Sequence, residues 1–78
     1  MTNEQRLALR MDDRVTRRSN GKTYQVTRTG QWLGQFVVGV QVLNDKTGKP
    51  WQREWDISEA NASGWAVAGQ AHSQEQGL

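Results

Sequence analysis

Two stretches of alternating side chains, each doubled back by turn-forming residues, constrain this chain more than anything else in it. DRVTRR and TYQVTRT flank Ser19-Asn20-Gly21-Lys22, and QFVVGVQVL and KPWQREWDI flank Asn44-Asp45-Lys46-Thr47-Gly48. A period of two turns one face of a strand to a core and the other to water. Two such runs around turn residues read as a β-hairpin. The chain is therefore expected to be mainly β and antiparallel.

Asn-Gly is a strong hairpin signal because a type I′ turn needs positive φ at both central positions. With Asn20 and Gly21 as the loop, Arg17 faces Tyr24, Val15 faces Val26 and Asp13 faces Arg28. Arg14, Thr16, Arg18, Thr23, Gln25 and Thr27 then share a polar, wet face. In the second hairpin, a four-residue loop from Asp45 to Gly48 pairs Val42 with Trp51, Val40 with Arg53, Val38 with Trp55 and Phe36 with Ile57. The expected core face is Phe36, Val38, Val40, Val42, Trp51, Trp55 and Ile57. Gly39, mid-strand, implies a bend or bulge. Between the hairpins, TGQWLGQ reads as a connecting loop. Its Trp32 either plugs one end of the core or stands out for a ligand.

Outside the hairpins the signals are shorter. Thr2 with Gln5 fits a capping box, and Arg6, Arg10 and Arg14 would share a helical face. Leu7, Leu9 and Met11 alternate as a strand would, so residues 1–11 read as a short helix or an N-terminal arm. Ser58 to Asn61 suits a single helical turn with Ser58 as N-cap, and Trp65-Ala66-Val67-Ala68 suits a last strand. The expected domain spans residues 12–69, followed by a disordered tail over 70–78.

Seventy-eight residues without cysteine leave a small core that no disulfide can staple. Small unstapled domains often gain burial by self-association, so a homo-oligomer is one expectation. No run approaches the roughly 20 apolar residues of a membrane helix, and the N-terminus lacks a signal-peptide pattern. A cytoplasmic protein with no membrane contact is expected.

The net charge of +2 conceals an asymmetry. Residues 1–39 hold seven Lys/Arg against three Asp/Glu, for +4, and residues 40–78 hold three against five, for −2. The first hairpin carries Arg14, Arg17, Arg18, Lys22 and Arg28, with Tyr24 among them and Trp32 just after. Basic side chains on a β-ribbon beside aromatics can bind phosphates and stack bases. Arg14, Arg18, Lys22, Arg28 and Trp32 are the candidate nucleic-acid or anion-binding residues. Arg14, Arg18 and Lys22 are the better placed, since Arg14 and Arg18 point to the wet face and Lys22 flanks the turn. A solubilising edge that blocks strand addition explains the same charges. Arg17 over Tyr24 reads as structural, and Trp51 and Trp55 as core.

Catalysis is poorly provided for. The lone histidine, His72, lies in the expected tail, so a Ser–His constellation would need an ordered C-terminus that is not expected. Asp12 and Asp13 are adjacent on a strand and point to opposite faces, so they cannot share an ion. Glu54 and Asp56 do share a face, and read as a solvated acidic edge. No glycine-rich phosphate loop occurs. No enzyme, cofactor or metal is expected.

Strands of this order, a glycine-containing loop after the second, and a helical turn before the last resemble SH3-like barrels over roughly residues 12–68. Those include the Tudor and KOW types of nucleic-acid-handling proteins. Asp13-Arg14-Val15, followed by Arg17-Arg18-Ser19, is similar to the opening strand of the plasmid-encoded type II dihydrofolate reductases. These are small SH3-like barrels that act as tetramers around a pore lined by a Val-Gln-Ile-Tyr strand. The nearest string here, Val40-Gln41-Val42-Leu43, lacks the tyrosine and falls too early in the strand order, so no active-site residue carries over. Three functions follow as expectations. First comes a barrel-type accessory module that contacts nucleic acid or a nucleic-acid-handling partner. Second is a protein-interaction or self-assembling subunit docking through an exposed strand, or through Trp32 and Leu33. Third is a pore-type oligomeric reductase.

Overall fold

In a computed structural model, which describes residues 1–69, the alternating stretches form one five-stranded antiparallel sheet. Helix α1 (Asn3–Leu7) precedes strands β1 (Arg14–Arg17), β2 (Thr23–Trp32), β3 (Gln35–Leu43), β4 (Pro50–Asp56) and β5 (Trp65–Gly69). A 3-10 turn at Ala62–Gly64 leads into β5. The first four strands pair in sequence and β5 returns beside β1, giving the order β4-β3-β2-β1-β5. Val15, Tyr24, Val26, Val38 and Val40 are buried on one face, where they meet Leu9, Ile57, Ala62 and Trp65. Phe36, Val42 and Trp55 pack against that cluster while partly exposed. The tail expected over residues 70–78, with His72, lies outside the described residues.

Both hairpin registers need correction. Val15 pairs with Tyr24 and Arg14 with Gln25, two residues from the counted register. A shift of two preserves the faces, so Val15 and Val26 both remain inside. The cause is the turn. Asn20 does not take the positive φ that a type I′ turn requires; Gly21 alone does, at 68°. Arg17 N–H donates to the Lys22 carbonyl and Gly21 N–H to the Arg17 carbonyl, which closes a four-residue loop. The β3–β4 loop has the same form: Asn44 N–H donates to the Lys49 carbonyl, Gly48 N–H to the Asn44 carbonyl, and Gly48 has φ 71°. In each loop a side-chain oxygen two residues back accepts from the lysine N–H, Asn20 Oδ1 from Lys22 and Thr47 Oγ1 from Lys49.

The two-residue turn with positive φ occurs where a connecting loop is expected. Strand β2 runs on through Trp32, which pairs with Gln35, and Leu33 (φ 52°) and Gly34 (φ 79°) make the whole connection. In the second hairpin Val42 does face Trp51, but Val40 pairs with Trp55 instead of Arg53. Ile57 N–H donates to the Val38 carbonyl, so Phe36 is not the partner of Ile57. Strand β4 carries two extra residues between Trp51 and Trp55, with Gln52 at φ 65°. The irregularity expected at Gly39 falls on its neighbour, where Thr27 is the extra residue. Gly39 itself lies under the Glu54 carboxylate, in space that a Cβ would overlap.

Thr2 and Gln5 do form the capping box. The helix ends at Ala8, so Arg10 and Arg14 do not share a helical face with Arg6. Arg6 is buried and donates to the carbonyls of Phe36 and Ile57, tying α1 to β3 and to the end of β4. Ser58 to Asn61 does form a single turn: Asn61 N–H donates to the Ser58 carbonyl, and the two residues cap each other, Ser58 Oγ accepting from Asn61 N–H and Asn61 Oδ1 from Ser58 N–H. The 3-10 turn follows it directly.

Candidate anion-binding groove between two like loops

Because the β1–β2 and β3–β4 loops share one form and one end of the sheet, they stand side by side. Between them is a groove of about 540 Å³, lined from one loop by Gly21 and Lys22 and from the other by Asn44, Asp45 and Gly48. Arg14, Thr23, Val42, Leu43, Trp51 and Gln52 complete the lining. Arg14 and Lys22 are exposed, and among the described residues neither forms a salt bridge. Among the described residues Asp45 is the single carboxylate of the lining. Lys46 and Lys49, on the same loop as Asp45, are also exposed and unpaired among the described residues. The acidic half of the sequence thus brings two of its three cations to the end where Arg14 and Lys22 lie.

The candidate residues of the first hairpin do not form one site. Arg14 and Lys22 come together in the groove. Arg18 is exposed, and its Nε donates to the Ser63 carbonyl at 3.0 Å, toward the 3-10 turn. Arg28 is neutralised. Its Nε lies 2.9 Å from Glu54 and its Nη2 3.2 Å from Asp56. The extra residue at Thr27 explains this pairing, since it turns Arg28 from the face of Val26 to the opposite one. Asp13, which the counted register places across from Arg28, is fully buried and accepts from the Arg10 N–H. The Glu54–Asp56 edge is therefore an ion-paired cluster, with Thr27 Oγ1 also donating to Glu54. Trp32 and Leu33 are 68% and 86% exposed at the opposite end of the sheet.

The tryptophans divide differently from the expectation. Arg17 stacks on Trp55 at 4.4 Å from the ring centroid, and Arg53 on the same ring at 4.2 Å. The shifted register takes Arg17 away from Tyr24, whose ring instead meets Trp65 edge to face at 4.9 Å. Tyr24 Oη accepts from Asn20 Nδ2, which fixes the first loop to the core. Trp51, assigned to the core from sequence, is 47% exposed and lines the groove. Sequence reasoning missed it because alternation puts Trp51 and Trp55 on one face at equal depth. No alternation rule encodes two extra residues between them.

Around the α-amino group of Met1, donation to the carbonyls of Ala62 and Trp65 brings the chain start onto the 3-10 turn. Desolvation, and then the nearby Arg18 guanidinium, hold its pKa below the ordinary 8.0.

The chain matches no known protein-family model, no curated protein and no solved structure. No helix among the described residues is long and apolar enough to cross a membrane.

Proposed function

We propose that this chain is a small non-catalytic binding module, an SH3-like barrel that contacts nucleic acid through the groove between its two four-residue loops. The observation that carries this reading is the pairing of Arg14 and Lys22, both exposed and without carboxylate partners among the described residues, across a groove with only Asp45 in opposition. Exposed cations gain most from a polyanion, where each phosphate contact releases condensed counterions. The strand order, with a 3-10 turn before the strand that returns to β1, supports the barrel-type reading. The test is a salt titration of wild-type binding to generic duplex and single-stranded oligonucleotides. Affinity should be measurable at low salt and fall steeply as salt rises. No binding at low salt would end this reading.

A second reading attaches to the far end of the sheet. Trp32 and Leu33 stand adjacent on a two-residue turn, more exposed than any other large apolar side chains described. Such a tip suits a protein partner or a second copy of the chain. Sedimentation velocity across a concentration series tests it. Self-association that W32S/L33S abolishes would support a docking tip, and a monomer at every concentration would remove the second copy.

A further inference from the structure

We propose that the groove takes single-stranded nucleic acid, with one unstacked base against the Trp51 indole and its flanking phosphates on Arg14 and Lys22. This rests on the nucleic-acid reading above and narrows it. Three independent features meet at this place. The first is the indole itself: Trp51 is about half exposed, and among the described residues no ring or cation stacks on it. Trp55, on the same strand, by contrast carries both Arg17 and Arg53 on its ring. The second is the backbone. Gln52 holds φ 65°, a left-handed conformation that a side chain with a Cβ disfavours, within the bulge that sets Trp51 apart from Trp55. Bulges re-aim side chains, and strain of this kind gathers at binding sites. The third is charge, since Arg14 and Lys22 line the same groove as Trp51.

A half-exposed indole beside two cations that form no salt bridge among the described residues fits a nucleotide better than a bare phosphate surface. In a duplex the base faces are stacked on one another and cannot reach Trp51. In a single strand every base offers a face, so stacking is tolerant of sequence. A groove of about 540 Å³ lies within the range of small-ligand sites, the scale of one nucleotide and not of a duplex.

The experiment measures affinity of the full chain, by fluorescence anisotropy at low salt, for oligo-dT, oligo-U, a duplex of equal length and poly-glutamate. Trp51→Ala should weaken both single strands roughly tenfold or more while leaving duplex binding and the salt slope unchanged. Trp51→Phe should retain most of the affinity, which separates stacking from damage to the fold. The double variant R14A/K22A should weaken single strand and duplex alike. Oligo-dT against oligo-U distinguishes DNA from RNA as the source of the strand. If Trp51→Ala leaves single-strand affinity intact while R14A/K22A lowers it, stacking is overturned and the broader reading stands. Tighter wild-type binding to duplex than to single strand would also overturn stacking. Binding to neither overturns both. Poly-glutamate bound as tightly as oligo-dT, and indifferent to Trp51→Ala, would assign the groove to acidic protein segments.

Discussion

The two ends of the sheet hold similar residue types and use them in opposite ways. At one end, Arg14 and Lys22 line a groove between two four-residue loops, Lys46 and Lys49 stand exposed on and beside the second loop, and among the described residues none of the four forms a salt bridge. At the other, Arg28 is cancelled by Glu54 and Asp56, and the exposed surface is apolar, at Trp32 and Leu33. Each end also has a tryptophan in water. What differs is the company: Arg14 and Lys22 in the groove with Trp51, a leucine beside Trp32. Where charge is available therefore depends on pairing across strands more than on how many arginines a hairpin carries.

That contrast can be broken from the core outward. Strand β4 contributes Trp51 to the groove end and leads to Ile57, which is 1% exposed, toward the other. Ile57→Ala should cost about 2–5 kcal/mol in urea unfolding. Trp51→Ala should cost far less, because much of its ring is already in water. Equal losses would mean that Trp51 is a core residue after all.

Gly39→Ala comes next. The new methyl group would displace the Glu54 carboxylate that bonds Arg28 and Thr27, and the expected loss is about 1 kcal/mol. The double variant E54A/D56A should change stability by less than about 1 kcal/mol, since the pairs are exposed. It should also raise affinity for nucleic acid, because Arg28 is released. An unchanged affinity would show that the far end cannot bind even with its charge restored.

The turns carry effects of comparable size and opposite sign. Leu33→Asn should stabilise the chain by about 0.5–1 kcal/mol, since asparagine tolerates positive φ better than leucine does. Asn20→Ala should destabilise it by about 1 kcal/mol through loss of the bonds to the Lys22 N–H and the Tyr24 hydroxyl. Thermal melts of the two variants moving in the same direction would contradict these turn assignments.

The turns also show how far the sequence could be read. Alternation alone identified the faces, and Val15, Val26, Val38, Val40 and Ile57 are indeed buried. The loop from Asp45 to Gly48 was legible because its glycine stands four residues after Asn44. Arg18 to Gly21 has the same spacing after Arg17, but the local preference of Asn-Gly for a tighter turn masks it. The tight turn was hidden at Leu33-Gly34 because leucine is an unfavourable residue for it. Tertiary pairing of β2 with β3 overrides that preference. The extra residues at Thr27 and around Gln52 leave no mark in the alternation. They decide that Arg28 meets Glu54 and that Trp51 reaches the groove. Arg14 and Lys22 could be named as candidates from the hairpin alone. Their meeting with Trp51 depends on two loops lying side by side, a long-range arrangement that local patterns do not carry.

The most direct test compares R14A/K22A with R28A in salt titrations of duplex DNA binding, both variants checked for folding by circular dichroism. R14A/K22A should weaken binding and reduce the slope of log affinity against log salt by about 1.8, two phosphate contacts at roughly 0.9 each. R28A should leave both quantities unchanged, because its charge is already paired. A loss with R28A as large as that with R14A/K22A, or no loss with either, would contradict the assignment of anion binding to the groove end of the sheet.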